Sequence, residues 1–171
     1  MNKLSQLIGA ENRALMQPLR PWRENAQVLL AHGQWEAMFI LWMEQHSYRR
    51  ALQIAHACLS DAPNDVVWQD CHADIALWLA EPDDELRWRI FQHGNSLGFA
   101  SALGAMALSL FWSEGSMAPA GLDAVYPEAD LSPTMLLCSL KSSSLALAGE
   151  QLPLVGARTL MDKLLSAEGG R

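Results

Sequence analysis

Charge is scarce in this chain of 171 residues: 18% are Asp, Glu, Lys or Arg, against roughly 25% in an ordinary soluble domain. Basic residues are the scarcer kind, 12 against 19 acidic ones for a net charge of −7, which argues against a nucleic-acid footprint. Cysteine is also rare. Cys58, Cys71 and Cys138 have no CxxC spacing and cannot pair into a disulfide framework, so a reducing compartment and a cytoplasmic location are expected. Met1 to Ala10 lacks the apolar core of a secretory signal. The longest apolar stretch, Leu97 to Trp112, is broken by Gly98 and Gly104. As a helix it would reach ~24 Å, short of the ~30 Å hydrocarbon thickness of a bilayer. A buried central helix is therefore expected there, with no membrane insertion.

Catalytic signatures are equally thin. The chain has no phosphate loop, Rossmann fingerprint or HExxH, and Gly115-Ser116-Met117 does not complete a GxSxG elbow. His56-x-Cys58 and Cys71-His72 are the only close His/Cys groupings. On a helix, residues one or two apart diverge by about 100° or 200°, so neither pair chelates a metal. His56 reads as a polar-face histidine, Cys58 and Cys71 as buried thiols, and no metal or other cofactor is expected. Asp70 and Asp74 share a helical face, which is either a solvated stripe or a metal-binding or acid/base couple.

What is abundant is apolar surface and tryptophan. Half of the residues are apolar and seven are tryptophan, enough for a packed core. Trp35, Met38, Phe39 and Trp42 recur at helical spacing. Tyr48, Ala51, Leu52, Ala55 and Leu59 do the same opposite a polar face of Arg49, Gln53, His56 and Ser60. Val67, Cys71, Ile75 and Trp78 make a third stripe. Pro82 followed by three acids opens another helix, and Ser132-Pro133 reads as the cap and first turn of a later one. The fold class expected is all-α, a single compact domain of about seven helices over residues 21–167. An N-terminal arm, 1–20, reads as a short helix or a flexible docking arm, and 168–171 forms a tail.

One segment resists helix formation. From 113 to 131 the chain carries Gly115, Pro119, Gly121 and Pro127, and a connection this long is commonly functional or mobile. Trp112, Ser113, Gly115, Ser116 and Met117 at its start, with Pro119, Leu122, Val125 and Tyr126 beyond, are the candidate partner-binding residues. An indole at such a junction either caps the core or anchors an interface.

Trp35, Met38, Trp42, Tyr48, Ala51, Cys58 and Pro63 have the spacing of one tetratricopeptide unit, without a second copy 34 residues later. This resembles a lone helical hairpin of that family, with Phe39 and Ala55 departing from its pattern. Trp78 to Arg87, then Phe111-Trp112-Ser113-Glu114-Gly115-Ser116-Met117-Ala118-Pro119, then Gly121-Leu122, Val125, Pro127 and Leu131-Ser132 resemble a second group. These are small helical bacterial proteins whose genes accompany type VI secretion clusters, matched over about residues 75–148. Glu114 departs from the group's Gly-Gly pattern, and Ala120, Asp123 and Glu128 dilute its proline-rich turn.

That resemblance implies an accessory role without an established reaction. The function expected is a non-catalytic protein-binding module, an adaptor or chaperone-like factor whose partner is a secretion component or its cargo. A homodimer would cover the same apolar surface. The contrasting classes are a small hydrolase built from Asp70, His72, Asp74 or Ser116, and a membrane-associated protein using residues 97–112.

Overall fold

The computed structural model of the chain describes residues 3–169, in which ten α-helices and no strand occur. All-α architecture is thus as expected, but about seven helices becomes ten. Two short helices, α1 (Lys3–Gln6) and α2 (Ala10–Leu15), lie in the segment read as an arm. Leu4 and Ile8 are buried in the core there, and α1 packs on α4, so apolar burial docks this segment. The remaining helices are α3 (Trp22–Ala31), α4 (Trp35–Glu44), α5 (Tyr48–Ala57), α6 (Val66–Ala80), α7 (Asp84–Leu97), α8 (Ala102–Ser113), α9 (Leu131–Ala148) and α10 (Pro153–Glu168). Of the expected tail, Glu168 ends α10, and residues 170 and 171 lie outside the described residues, as do Met1 and Asn2.

Local chemistry sets the helix starts. The side chains of Ser47, Asp65, Asp83 and Ser101 accept the backbone N–H of Arg50, Trp68, Leu86 and Gly104, satisfying donors that a helix start leaves orphaned. Pro153 occupies the first turn of α10, where its missing N–H costs nothing. Ser132 does not act as the cap expected of it. Helix α9 starts two residues earlier, at Leu131 after Asp130, and Ser132 is buried. Its hydroxyl donates to Ser109 O at 2.8 Å while the Ser109 hydroxyl donates to Ser132 O at 2.7 Å, a reciprocal clasp between α8 and α9.

Helix α8 is the central element, buried from Leu103 through Phe111 as its low polarity requires. It lies between α7 and α9, and successive helices from α6 to α10 are neighbours. Gly156 lets α10 close on α9: a Cβ there would overlap Ser144 O and come within 2.7 Å of Ala148 N. Helix α4 is buried from Ala37 to Met43 and touches α3, α9 and α10. Its main partner is α3, whereas α5 packs on α6 and α10, so α4 and α5 are not each other's chief support as in a self-contained hairpin. In the third stripe Cys71, Ile75 and Trp78 are buried, but Val67, in the first turn of α6, is 37% exposed.

Among the described residues no helix is long and apolar enough to cross a membrane.

Candidate functional site: an anchored loop beside a groove

The segment between α8 and α9 is irregular, as its glycines and prolines demand, and it is held by one buried cation. Arg87 on α7 is 2% exposed. Its Nη1 donates to Phe111 O at 2.9 Å, its Nη2 to Ser116 O at 2.8 Å, and its Nε to Asp84 Oδ1 at 2.8 Å. The guanidinium also lies 4.5 Å from the Phe111 ring centroid. A planar fork of donors suits this work, since it ties the end of α8 and the loop start to one rigid group. Gly115 passes directly over the guanidinium with φ of +79°, and a Cβ there would sit 2.7 Å from Arg87 Cζ. Both the turn and the close approach therefore require glycine.

A second set of bonds closes the loop on itself. Ser116 Oγ accepts the N–H of Ala118 at 3.0 Å and of Val125 at 2.9 Å, and Met117 N donates to Val125 O at 2.7 Å. Leu122 N donates to Pro119 O at 3.2 Å, completing a turn. At the far end Lys3 reaches Glu128 at 3.1 Å and Asp130 at 3.3 Å. The nine candidate residues thus divide by task. Gly115, Ser116, Met117 and Pro119 shape the loop. Leu122, Val125 and Tyr126 stand in solvent, 68%, 51% and 69% exposed. Trp112 and Ser113 are half-buried and line a groove.

That groove has a volume of about 790 Å³, within the size range of ligand-binding clefts, and runs between the loop, α1 and the α4–α5 junction. Trp112, Tyr48, Tyr126 and Pro133 supply its apolar walls, with Glu44 and Glu114 at its rim. Burial pushes the Tyr48 phenol up to about 12, and its hydroxyl is 2.8 Å from Ser109 Oγ, beside the α8–α9 clasp. Tyr48 is therefore a neutral hydrogen-bonding group over the physiological range.

Of the residues of the hydrolase alternative, Asp74 and His72 are engaged by other side chains. Asp74 is buried and accepts both Arg89 Nε at 2.7 Å and Arg89 Nη2 at 2.8 Å, with His93 Nε2 at 3.3 Å. These bonds hold its carboxyl below the usual range. Asp70 is exposed. His72 lies stacked between Trp68 and His56, with ring centroids 4.8 and 3.9 Å apart. Ser116 borders a different cleft, one that none of these residues lines.

His56 corrects the polar-face reading: it is buried, its Nε2 lies 2.9 Å from His72 O, and burial lowers its pKa. The α6 rings make this burial favourable, and no pattern within α5 alone reveals them. Cys58 and Cys71 are buried thiols, with burial pushing Cys71 up to about 12. Among the described residues no group of three or more His, Cys, Asp or Glu side chains is placed to hold a metal.

Two residues that shape the loop and the groove have no sequence signal of their own. Arg87 appears only as a cation one turn into an acid-rich helix start. Glu168 ends α10, where its carboxylate accepts Trp42 Nε1 at 2.8 Å and Arg23 Nη2 at 2.9 Å and meets His46 Nε2 at 2.9 Å. Its carbonyl accepts Arg50 Nη2 at 3.1 Å. This junction fixes the α4–α5 wall of the groove.

Neither a curated protein nor a solved structure matches the chain. A family described as of unknown function, DUF6931, matches residues 25–162, spanning most of the described helices and the whole anchored loop, and the chain belongs to that family.

Proposed function

We propose that the protein is a non-catalytic protein-binding module, a cytoplasmic adaptor or chaperone-like accessory of a bacterial secretion apparatus, which receives a secretion component or cargo on the 113–131 loop and the adjoining groove. The observation that carries this reading is the combination of fixed backbone and uncovered apolar side chains. Arg87 and Ser116 hold the loop in one conformation, while Leu122, Val125 and Tyr126 remain in water. A preordered loop loses little conformational entropy when a partner docks, and an exposed apolar cluster of this kind marks an interface. The resemblance of residues 75–148 to proteins encoded beside type VI secretion clusters supports the choice of apparatus.

Affinity capture from the native cell tests it, comparing the wild-type protein with a Leu122→Ser, Tyr126→Ser variant of the same fold. The expected result is a secretion-system protein enriched by the wild type and lost with the variant. Identical captures from both proteins would refute the reading.

A further inference from the structure

The groove beside the loop has walls and a rim of different chemistry, and the pairing of its charges singles out one kind of occupant. Its walls are aromatic and imino rings, from Tyr48, Trp112, Tyr126 and Pro133. Its rim carries two carboxylates, Glu44 and Glu114. Glu44 receives the hydroxyl of Ser5. Among the described residues no lysine or arginine pairs with either carboxylate. The basic side chains nearby are already engaged: Arg87 lies beneath Gly115 bonded to the loop backbone, and Arg13 donates to the backbone carbonyl of Ser5. The same edge of the molecule also shows what it accepts, because Lys3 bridges Glu128 and Asp130.

We infer that the groove takes a basic segment of the partner, with a lysine or arginine side chain entering between Glu44 and Glu114 across Trp112 and Tyr126, and an adjacent apolar side chain against Tyr48 and Pro133. Carboxylates and aromatic faces both attract a cation and both leave its aliphatic stem in apolar contact. An acidic segment would meet the rim with like charge, and a second copy of this chain brings a net charge of −7 to a negative edge. A basic partner segment gives both rim carboxylates a counter-charge. This inference rests on the proposed binding function and narrows the class of partner.

Two short capped peptides test it, identical in their leucine and serine positions and differing in lysine against glutamine at two sites. Each is fluorescein-labelled and titrated with the full-length protein by anisotropy. The lysine peptide is expected to bind about tenfold or more tightly than its glutamine counterpart, with the advantage shrinking as salt rises toward ~0.5 M. Glu114→Gln and Glu44→Gln together should erase the difference, Glu114→Lys alone should do the same by offsetting Glu44, and Glu44→Lys with Glu114→Lys should reverse it, with circular dichroism confirming that each variant keeps its helices. Equal binding of the two peptides would overturn the charge preference and leave the docking function standing. The charge preference is likewise overturned if neither peptide binds while loop-dependent capture from cells persists. Absence of both peptide binding and capture would overturn the two proposals together.

Discussion

Arg87 shows how a single side chain converts an irregular sequence into a defined surface. A buried guanidinium is costly to desolvate, and here backbone carbonyls of Phe111 and Ser116 and the Phe111 ring replace its water. Its carboxylate partner, Asp84, is largely solvent-exposed, so the pair itself adds little. The prediction is that Arg87→Met lowers stability by about 2–4 kcal/mol, because two carbonyls lose their donor, whereas Asp84→Asn changes it by less than about 1 kcal/mol. Gly115→Ala should cost about 1–3 kcal/mol through its left-handed backbone and the loss of room above the guanidinium. Urea unfolding of the single and double variants checks this. Since both substitutions strike one contact, their effects should add to less than the sum. Full additivity would show that Gly115 and Arg87 act independently.

Between elements, the contacts of α6 with α7 and of α9 with α10 make separate demands. Asp74 on α6 is bound by Arg89 on α7, and its carboxyl titrates below the ordinary 3.8. The folded state therefore holds its proton less readily than the unfolded chain. The resulting stabilisation is complete above about pH 4 and is lost as pH falls through the folded-state value. Asp74→Asn is accordingly expected to lower the thermal midpoint more at pH 7 than at pH 3, as scanning calorimetry at the two pH values would show. The α9–α10 crossing depends on Gly156 in a different way. Gly156→Ala forces a methyl into Ser144 O, and overpacking of this kind costs about 1–3 kcal/mol, readable as a loss of chemical stability with α8 and its neighbours intact.

Legibility from the sequence follows the same division between local and distant causes. The acids after Pro82 and the apolar stripe of α4 are local patterns, and α7 and α4 form at them, although Pro82 precedes the Asp83 cap instead of entering the first turn. Ser132-Pro133 has the form of a cap, yet a buried serine on another helix offers Ser132 a better partner. His56 looks polar on its own helix and becomes core only because His72 and Trp68 arrive from α6. The loop is marked by its glycines and prolines, but its anchor, Arg87, lies 28 positions before Gly115. The Glu168 junction draws on α3, α4 and α5 together. Features that a tertiary contact creates carry no signal within a single segment.

On the scale of the whole molecule, the ten helices of the described residues hold an anchored loop beside a groove. Under the proposed function, that edge is the place where another polypeptide docks. Site-specific photo-crosslinking in the native cell tests this most directly, with the reactive side chain placed at Tyr126 on the loop and, as a control, at Leu19. Leu19 is an apolar residue 101% exposed and is not part of the groove. Docking at the loop predicts a discrete higher-mass adduct from position 126 and none from position 19. No adduct at 126, or the same adducts from both positions, would contradict it.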